Sequence, residues 1–147
     1  MVRKRKRNSV RAKIGSLLFV FVMLLSSGLC SAGAAGNYQD TLIKFEYDGS
    51  GSDVGTPARQ KLDYTSSYIY NKASDYKFSR VLVHGCFGTS GSSYDCTYGV
   101  PKEVKVGEAK YLPNMVKEWG YTYARLVIMP GSHAKHHIYA LWSPDSV

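Results

Sequence analysis

The sequence predicts an all-β fold: a single antiparallel β-sandwich or small barrel of six or seven short strands. Three observations lead to this prediction. Segments in which apolar and polar residues alternate recur along the chain, turn signals rich in glycine, serine and proline separate them, and no sustained helical period is present. The composition agrees, because all 12 tyrosines follow Asn37 and aromatic residues favour strands.

The first half of the chain predicts three strands, at 41–47, 61–71 and 78–86. The first alternates, with Ile43, Phe45 and Tyr47 on one face. A loop rich in glycine and serine separates it from the second. The third is the clearest, because an apolar and largely β-branched Val-Leu-Val run lies at its centre.

The second half predicts short strands at 102–106 and 109–112, a long apolar strand at 121–129 and a last strand at 138–142. Between them, residues 113–119 form at most one short helix, because Pro113 suits a first helical turn and Gly120 suits a C-cap. Pro130 and Gly131 end the long strand.

Residues 1–34 have the three parts of a cleaved secretory signal peptide. Seven of the 19 Lys and Arg residues lie in the first 13 positions, an apolar run spans 14–25, and Ala32-Gly33-Ala34 fits a cleavage site. The apolar run is shorter than the roughly 20 residues of a transmembrane helix. A lipoprotein attached at Cys30 is an alternative, although the residues before it make a poor lipobox. We therefore expect 35–147 to form one secreted, extracellular domain with no membrane span after cleavage.

The net charge of the whole chain is misleading. The value of +8 is typical of a nucleic-acid or membrane-surface binder. Once the leader is removed, 12 basic and 11 acidic residues remain, for a net charge of +1. The expected secreted domain therefore lacks the basic surface of a nucleic-acid binder, and we expect no nucleic-acid partner.

Two cysteines, Cys86 and Cys96, remain in the expected secreted domain. An even number of cysteines in an exported protein is typical of a disulfide, which here would close the loop 87–95. The alternative is a catalytic thiol or a metal-binding pair, but no C-x-x-C spacing is present. The sequence therefore predicts a structural Cys86–Cys96 bond.

Histidines and tyrosines supply two further candidate sites. His133, His136 and His137 have a spacing at which imidazoles bind zinc or copper, but they fall in a predicted turn, where histidines are usually only solvated. They are weak metal candidates, and we expect no metal and no cofactor. Tyr64, Tyr68 and Tyr70 share one face of the strand predicted at 61–71. This face is a candidate binding surface for carbohydrate or protein, or else it packs the sheet through cross-strand pairs.

Catalytic motifs are weak. Ser90 has glycines nearby, but the G-x-S-x-G spacing of a nucleophile elbow is absent. Glu46 and Asp48 form a carboxylate pair of the kind that glycosidases use, but many unrelated pairs have this spacing. No phosphate-binding, dinucleotide-binding or EF-hand motif is present. We therefore expect a non-enzymatic protein.

Several segments resemble a family of small exported proteins of Gram-positive bacteria whose function is unknown. The resemblance rests on 63–68 (DYTSSY), on 114–121 (NMVKEWGY) with 124–126 (ARL), and on the ending WSPDSV at 142–147. This family is loosely similar to lactococcin-type bacteriocins, exported β-rich proteins that interfere with wall synthesis. The resemblance implies a bacteriocin-like or cell-envelope-interacting protein, and it assigns no catalytic residue.

We therefore expect a secreted binding protein whose partner is a cell-envelope component or another protein. A secreted hydrolase and a surface or matrix interaction protein are the alternatives. We also expect the WSPDSV ending to belong to the fold, since Ile138, Ala140 and Trp142 share one face of the last strand.

Overall fold

The computed structural model of the protein describes residues 36–147, which form two antiparallel β-sheets and contain no helix. The strands are β1 (Thr41–Tyr47), β2 (Val54–Gly55), β3 (Arg59–Gln60), β4 (Ser67–Tyr70), β5 (Phe78–Cys86), β6 (Tyr94–Asp95), β7 (Lys102–Val104), β8 (Ala109–Leu112), β9 (Tyr123–Pro130) and β10 (His136–Ser143). The predicted signal peptide, 1–34, lies outside the described residues.

The first sheet has four strands in the order β1-β10-β4-β8. The last strand of the chain, β10, lies between β1 and β4, with Ile43 opposite Ala140 and Ile69 opposite Trp142. Residues directly opposite each other project to the same face of a sheet. This register therefore places buried side chains of three strands on one face, and it directs the alternate residues outwards.

The second sheet is built on the long pair β5 and β9, in which Val83 lies opposite Leu126. The two short strands β2 and β3 pair with successive parts of the free side of β9, and β6 and β7 do the same along β5. A register shift between Phe78 and Arg80 marks an irregularity near the start of β5. Both edges of this sheet are therefore short and interrupted.

One hydrophobic core lies between the inner faces of the two sheets. Its largest fully buried apolar side chains include Ile69, Ile138 and Trp142 from the first sheet and Phe78, Val81, Leu126 and Ile128 from the second. Apolar residues at every second position of β5, β9 and β10 produce this arrangement. The sheets do not close on each other, so the sandwich is confirmed and the barrel is not formed.

The C-terminal residues are part of the folded domain. The side chains of Lys61 and Asp145 are only 1% and 0% exposed, and Lys61 Nζ lies 2.8 Å from Asp145 Oδ1. Lys61 Nζ also donates to the carbonyl oxygens of Thr65 and Pro144, and the other carboxylate oxygen of Asp145 accepts the backbone N–H of Leu62. The ending is thereby attached to the chain before β4, as we expected.

The predicted and observed strands agree fully in three cases. The bounds of β1, β5 and β8 are those predicted. The strand predicted at 61–71 is reduced to β4, and the two-residue strands β2, β3 and β6 were not predicted. Residues 113–119 contain hydrogen-bonded turns, which end where Gly120 adopts a φ of 82°. Glycine adopts this φ readily, but no helix forms at 113–119, so Gly120 ends a turn and does not cap the short helix that the sequence allows.

Within the described part of the chain, no helix has the length and apolar character needed to cross a bilayer.

Candidate functional site

The outward face of the four-stranded sheet carries tyrosines on three neighbouring strands. Tyr68 and Tyr70 on β4, Tyr111 on β8 and Tyr139 on β10 all point away from the core, because each alternates with a buried residue. We call these four residues the tyrosine face. These four are the tyrosines that occupy outward positions on the strands of this sheet.

Pairing between strands brings the tyrosines together. Tyr68 lies directly opposite Tyr111, and their ring centroids are 5.7 Å apart with the planes tilted by 54°. Tyr70 lies opposite Leu141, two residues along β10 from Tyr139. Tyr111 remains 57% exposed. The packing alternative predicted from the sequence therefore accounts for the Tyr68–Tyr111 contact, while most of the Tyr111 side chain stays available to a ligand.

Two polar groups lie at this face, the ammonium of Lys72 and the hydroxyl of Tyr68. Lys72 Nζ lies 5.7 Å from the centre of the Tyr139 ring, a cation–π distance. Burial, with the nearby Asp40 and Tyr111, raises the pKa of Tyr68. The Tyr68 hydroxyl is therefore neutral at physiological pH and is able both to donate and to accept a hydrogen bond. Aromatic surfaces with hydroxyl groups at their edges suit ligands that are partly apolar and partly polar.

Tyr64 does not belong to the strand that the sequence predicts for it. It lies in a bend before β4 with its side chain 69% exposed, and β4 begins only at Ser67. The reason is local hydrogen bonding: Asp63 Oδ1 accepts the backbone N–H of Thr65 at 2.9 Å and so turns the chain. Of the three predicted tyrosines, the structure therefore aligns Tyr68 and Tyr70 on one strand face.

Tyr111 and Tyr139 are the members of the face that sequence reasoning missed. Each occupies an outward position of a strand that the sequence predicts, one residue from a buried Leu112 or Ala140. The missing information was the strand order, since only the pairing of β4 with β8 and β10 shows that these tyrosines are neighbours.

Cys86 and Cys96 are both buried and both free thiols, so the structure does not contain the predicted bond. Cys86 lies opposite Tyr123, which places it on the same face of the sheet as His84. Cys96 instead belongs to the core, where it packs over Gly85. Since the two side chains project to opposite faces, a bond requires the local backbone to change. Burial raises the pKa of both thiols and makes them poor nucleophiles.

The three candidate metal ligands point in different directions. His136 is buried between the rings of Tyr47 and Tyr76, each 5.0 Å away between centroids. His137 projects to the opposite face of β10 and contacts Asp75, with Nδ1 3.3 Å from Oδ2. His133 lies in the preceding turn. Among residues 36–147, no group of three or more His, Cys, Asp or Glu side chains is placed to hold a metal ion.

The candidate residues of the hydrolase alternative are not brought together into a catalytic group. Ser90 lies exposed in the loop after β5. His84 Nδ1 is 3.2 Å from Ser93 Oγ, but the neighbouring Asp95 uses Oδ1 to accept the N–H of Thr97 and does not orient the imidazole. Burial lowers the pKa of His84, against the raising effect of Asp95. A serine, histidine and carboxylate relay needs all three in series.

Glu46 and Asp48 both line an open hollow of about 360 Å³ beside the loop between β1 and β2. Asp48 Oδ1 accepts the N–H of Ser50 at 2.9 Å, and this hydrogen bond lowers the pKa of Asp48. The general acid of a glycosidase requires a raised pKa. Asp48 therefore stabilises the turn after β1, and its lowered pKa does not suit the general acid of a glycosidase.

A second exposed aromatic group lies at one end of the six-stranded sheet. Tyr121 packs on Gly85, where an added Cβ would meet its ring at 2.5 Å. Its ring lies 4.9 Å from Phe87 and 5.9 Å from Tyr94 between centroids. These three rings form an alternative binding surface on loops and strand ends, whereas the tyrosine face is held by continuous strand pairing.

The architecture and surface together define a small all-β sandwich with an outward aromatic sheet face as its candidate binding site. Residues 30–146 match the family described as protein of unknown function (DUF2712), and the chain belongs to this family. Comparison with curated proteins and with solved structures gives no match.

Proposed function

We propose that this chain is an exported, non-enzymatic protein that binds a cell-envelope component through the tyrosine face, as a bacteriocin-like or envelope-interacting protein. The observation that carries the proposal is the alignment of Tyr68, Tyr70, Tyr111 and Tyr139 on three hydrogen-bonded strands. A rigid sheet presents these rings without ordering a loop, so little conformational entropy is lost on binding.

The chemistry of the face favours a glycan ligand. The quadrupole of a tyrosine ring makes its two faces partially negative, which attracts the C–H groups of a sugar ring, and the tyrosine hydroxyl can hydrogen-bond to sugar hydroxyls. The near-neutral domain has no broad basic surface to attract nucleic acid, as the even balance of charges after Ala34 indicates. Among the components of a cell envelope, we therefore propose glycan strands as the ligand of this surface.

Export is supported by the leader: its basic start, apolar run and small residues at 32–34. N-terminal sequencing of protein from culture medium tests it. The proposal expects a first residue within about three positions of Ala35, as the cleavage-site pattern indicates. Recovery from the membrane fraction of a chain that begins at Met1 would contradict export with cleavage.

Co-sedimentation with purified cell-wall sacculi tests the binding proposal. We expect the wild-type protein to pellet with sacculi, and the variant Tyr68→Ala/Tyr111→Ala to bind about tenfold more weakly or worse, because each ring contact contributes about 0.5–1.5 kcal/mol. Tyr94→Ala is the matched control, since Tyr94 is 55% exposed and lies on β6 of the other sheet. Equal binding by the double variant would contradict the proposal. If the wild-type protein inhibits the growth of sensitive cells and the double variant does not, the result supports a bacteriocin-like activity as well.

A further inference from the structure

The edges of the two sheets differ in how well they are protected. An edge strand presents unpaired N–H and C=O groups to any other strand, and proteins usually blunt such edges with short strands, bulges or proline. The six-stranded sheet ends in strands of only two or three residues. In the four-stranded sheet, β8 has four residues and is followed by Pro113. Among the sheet edges formed by residues 36–147, only β1, with seven continuous residues, is long.

The free side of β1 has no backbone partner in the part of the chain that the structure describes. All seven residues of β1 pair with β10 in an unbroken register, and no other backbone hydrogen bond from residues 36–147 reaches them. The strand contains no proline and no bulge. Its outward face carries Lys44 and Glu46, both exposed. Neither takes part in an ion pair within residues 36–147.

We propose that β1 pairs antiparallel with β1 of a second copy of this chain, about a two-fold axis at Phe45. In this register Lys44 lies opposite Glu46 of the second copy, and the same pair forms again across the axis. Opposite charges directly across an antiparallel pair are stabilising, and like charges there are destabilising. An interface of this kind is self-complementary, as two-fold symmetry requires.

The charges select this register over its neighbours. Sliding the strands by two residues in one direction places Lys44 opposite Lys44. Sliding them in the other places Glu46 opposite Glu46, and Lys44 then faces Asp48, which lies beyond the end of β1 and already accepts the N–H of Ser50. A slip by one residue places outward Lys44 opposite an inward residue of the second copy, which turns that copy over and is incompatible with the two-fold axis. The result is one continuous eight-stranded sheet, in which the tyrosine faces of both copies lie on the same side.

A different interpretation is that Lys44 simply blocks association, as charged residues do on many edges. The two interpretations predict opposite oligomeric states. Light scattering after size exclusion, over a range of protein concentrations, measures the mass directly. The proposal expects twice the mass of one chain at high concentration, whereas a blocked edge gives one chain throughout, which would overturn it.

Charge reversal identifies the interface. Lys44→Glu places Glu opposite Glu46 at both pairs, and Glu46→Lys places Lys opposite Lys44, so each variant should weaken the dimer by about tenfold or more. The double variant Lys44→Glu/Glu46→Lys restores opposite charges and should restore the dimer. Lys102→Glu, the same charge change on exposed β7, should leave it unchanged.

Each variant should remain folded, because Lys44 and Glu46 are exposed and their replacement leaves the core intact. Thermal unfolding of each variant checks this. A dimer that persists in both single variants, or a double variant that fails to recover it, would show that association uses another surface and would overturn the proposal.

Discussion

Lys61 and Asp145 show how single residues specify this domain. Burying two charges is costly, and the cost is offset only when geometry is good and every remaining donor and acceptor is paired. Lys61 Nζ has three oxygen acceptors, within 2.6–2.8 Å. Asp145 accepts N–H groups from Asn37 and Leu62 besides the ammonium. The pair therefore fixes the ending of the chain against the segment before β4.

Asp145→Asn should lower the free energy of unfolding by about 3–5 kcal/mol, because it leaves the Lys61 ammonium buried without its counter-charge. Denaturant unfolding measures this loss. Lys77→Met is the matched control, since its pair with Glu103 is exposed on both sides, and it should change stability by less than about 1 kcal/mol. Equal effects of the two variants would show that burial of the Lys61–Asp145 pair has no special role.

The thiols of Cys86 and Cys96 should be free in the folded protein and protected from reagents. Their burial on opposite faces of the sheet prevents both a bond and attack by an alkylating agent. Mass spectrometry after alkylation should show little labelling under native conditions and two labelled thiols on residues 36–147 after unfolding without reductant. Failure to label them after unfolding would instead establish the disulfide that the sequence predicts.

Among the elements, β10 connects the two halves of its sheet. It hydrogen-bonds to β1 on one side and to β4 on the other, and its inward residues end at the fully buried Trp142. Arg59 adds a contact from the other sheet: its guanidinium lies 5.4 Å from the centre of the Trp142 ring and donates to the Trp142 carbonyl oxygen. Loss of this strand end thus affects both sheets.

Deletion of 142–147 should abolish cooperative unfolding, because it removes Trp142 from the core together with Asp145. Replacing a buried Trp with Ala alone typically costs about 3–5 kcal/mol, a large part of the 5–15 kcal/mol that holds a typical domain. Removal of Val147, which is 97% exposed, is the control and should leave the melting temperature unchanged. An unchanged transition in the longer deletion would show that the ending is not needed for folding.

The same elements explain how far sequence reasoning reaches. The alternation of β1 and the apolar Val-Leu-Val run at the centre of β5 are local signals, and each predicts its strand. The two-residue strands β2 and β3 have no periodic signal of their own and exist because β9 offers them a free side. Strand order is likewise non-local, which is why Tyr68 was predicted as a site residue while its neighbour Tyr111 was missed.

For the whole molecule, the central claim is that a sandwich held by one core presents a single aromatic sheet face for binding. The exposed rings of Phe87 and Tyr94, with the partly buried Tyr121 between them at one end of the other sheet, are the competing surface. If β1 pairs between two copies, two tyrosine faces lie side by side, and binding to a repeating polymer gains avidity from their effective concentration.

Nuclear magnetic resonance of isotope-labelled protein titrated with soluble cell-wall glycan fragments tests this claim most directly. The account predicts that shift changes concentrate at Tyr68, Tyr70, Tyr111 and Tyr139 and at their backbone neighbours on β4, β8 and β10, while Phe87 and Tyr121 remain unchanged. Shift changes centred on Phe87 and Tyr121, or none at saturating fragment, would contradict it.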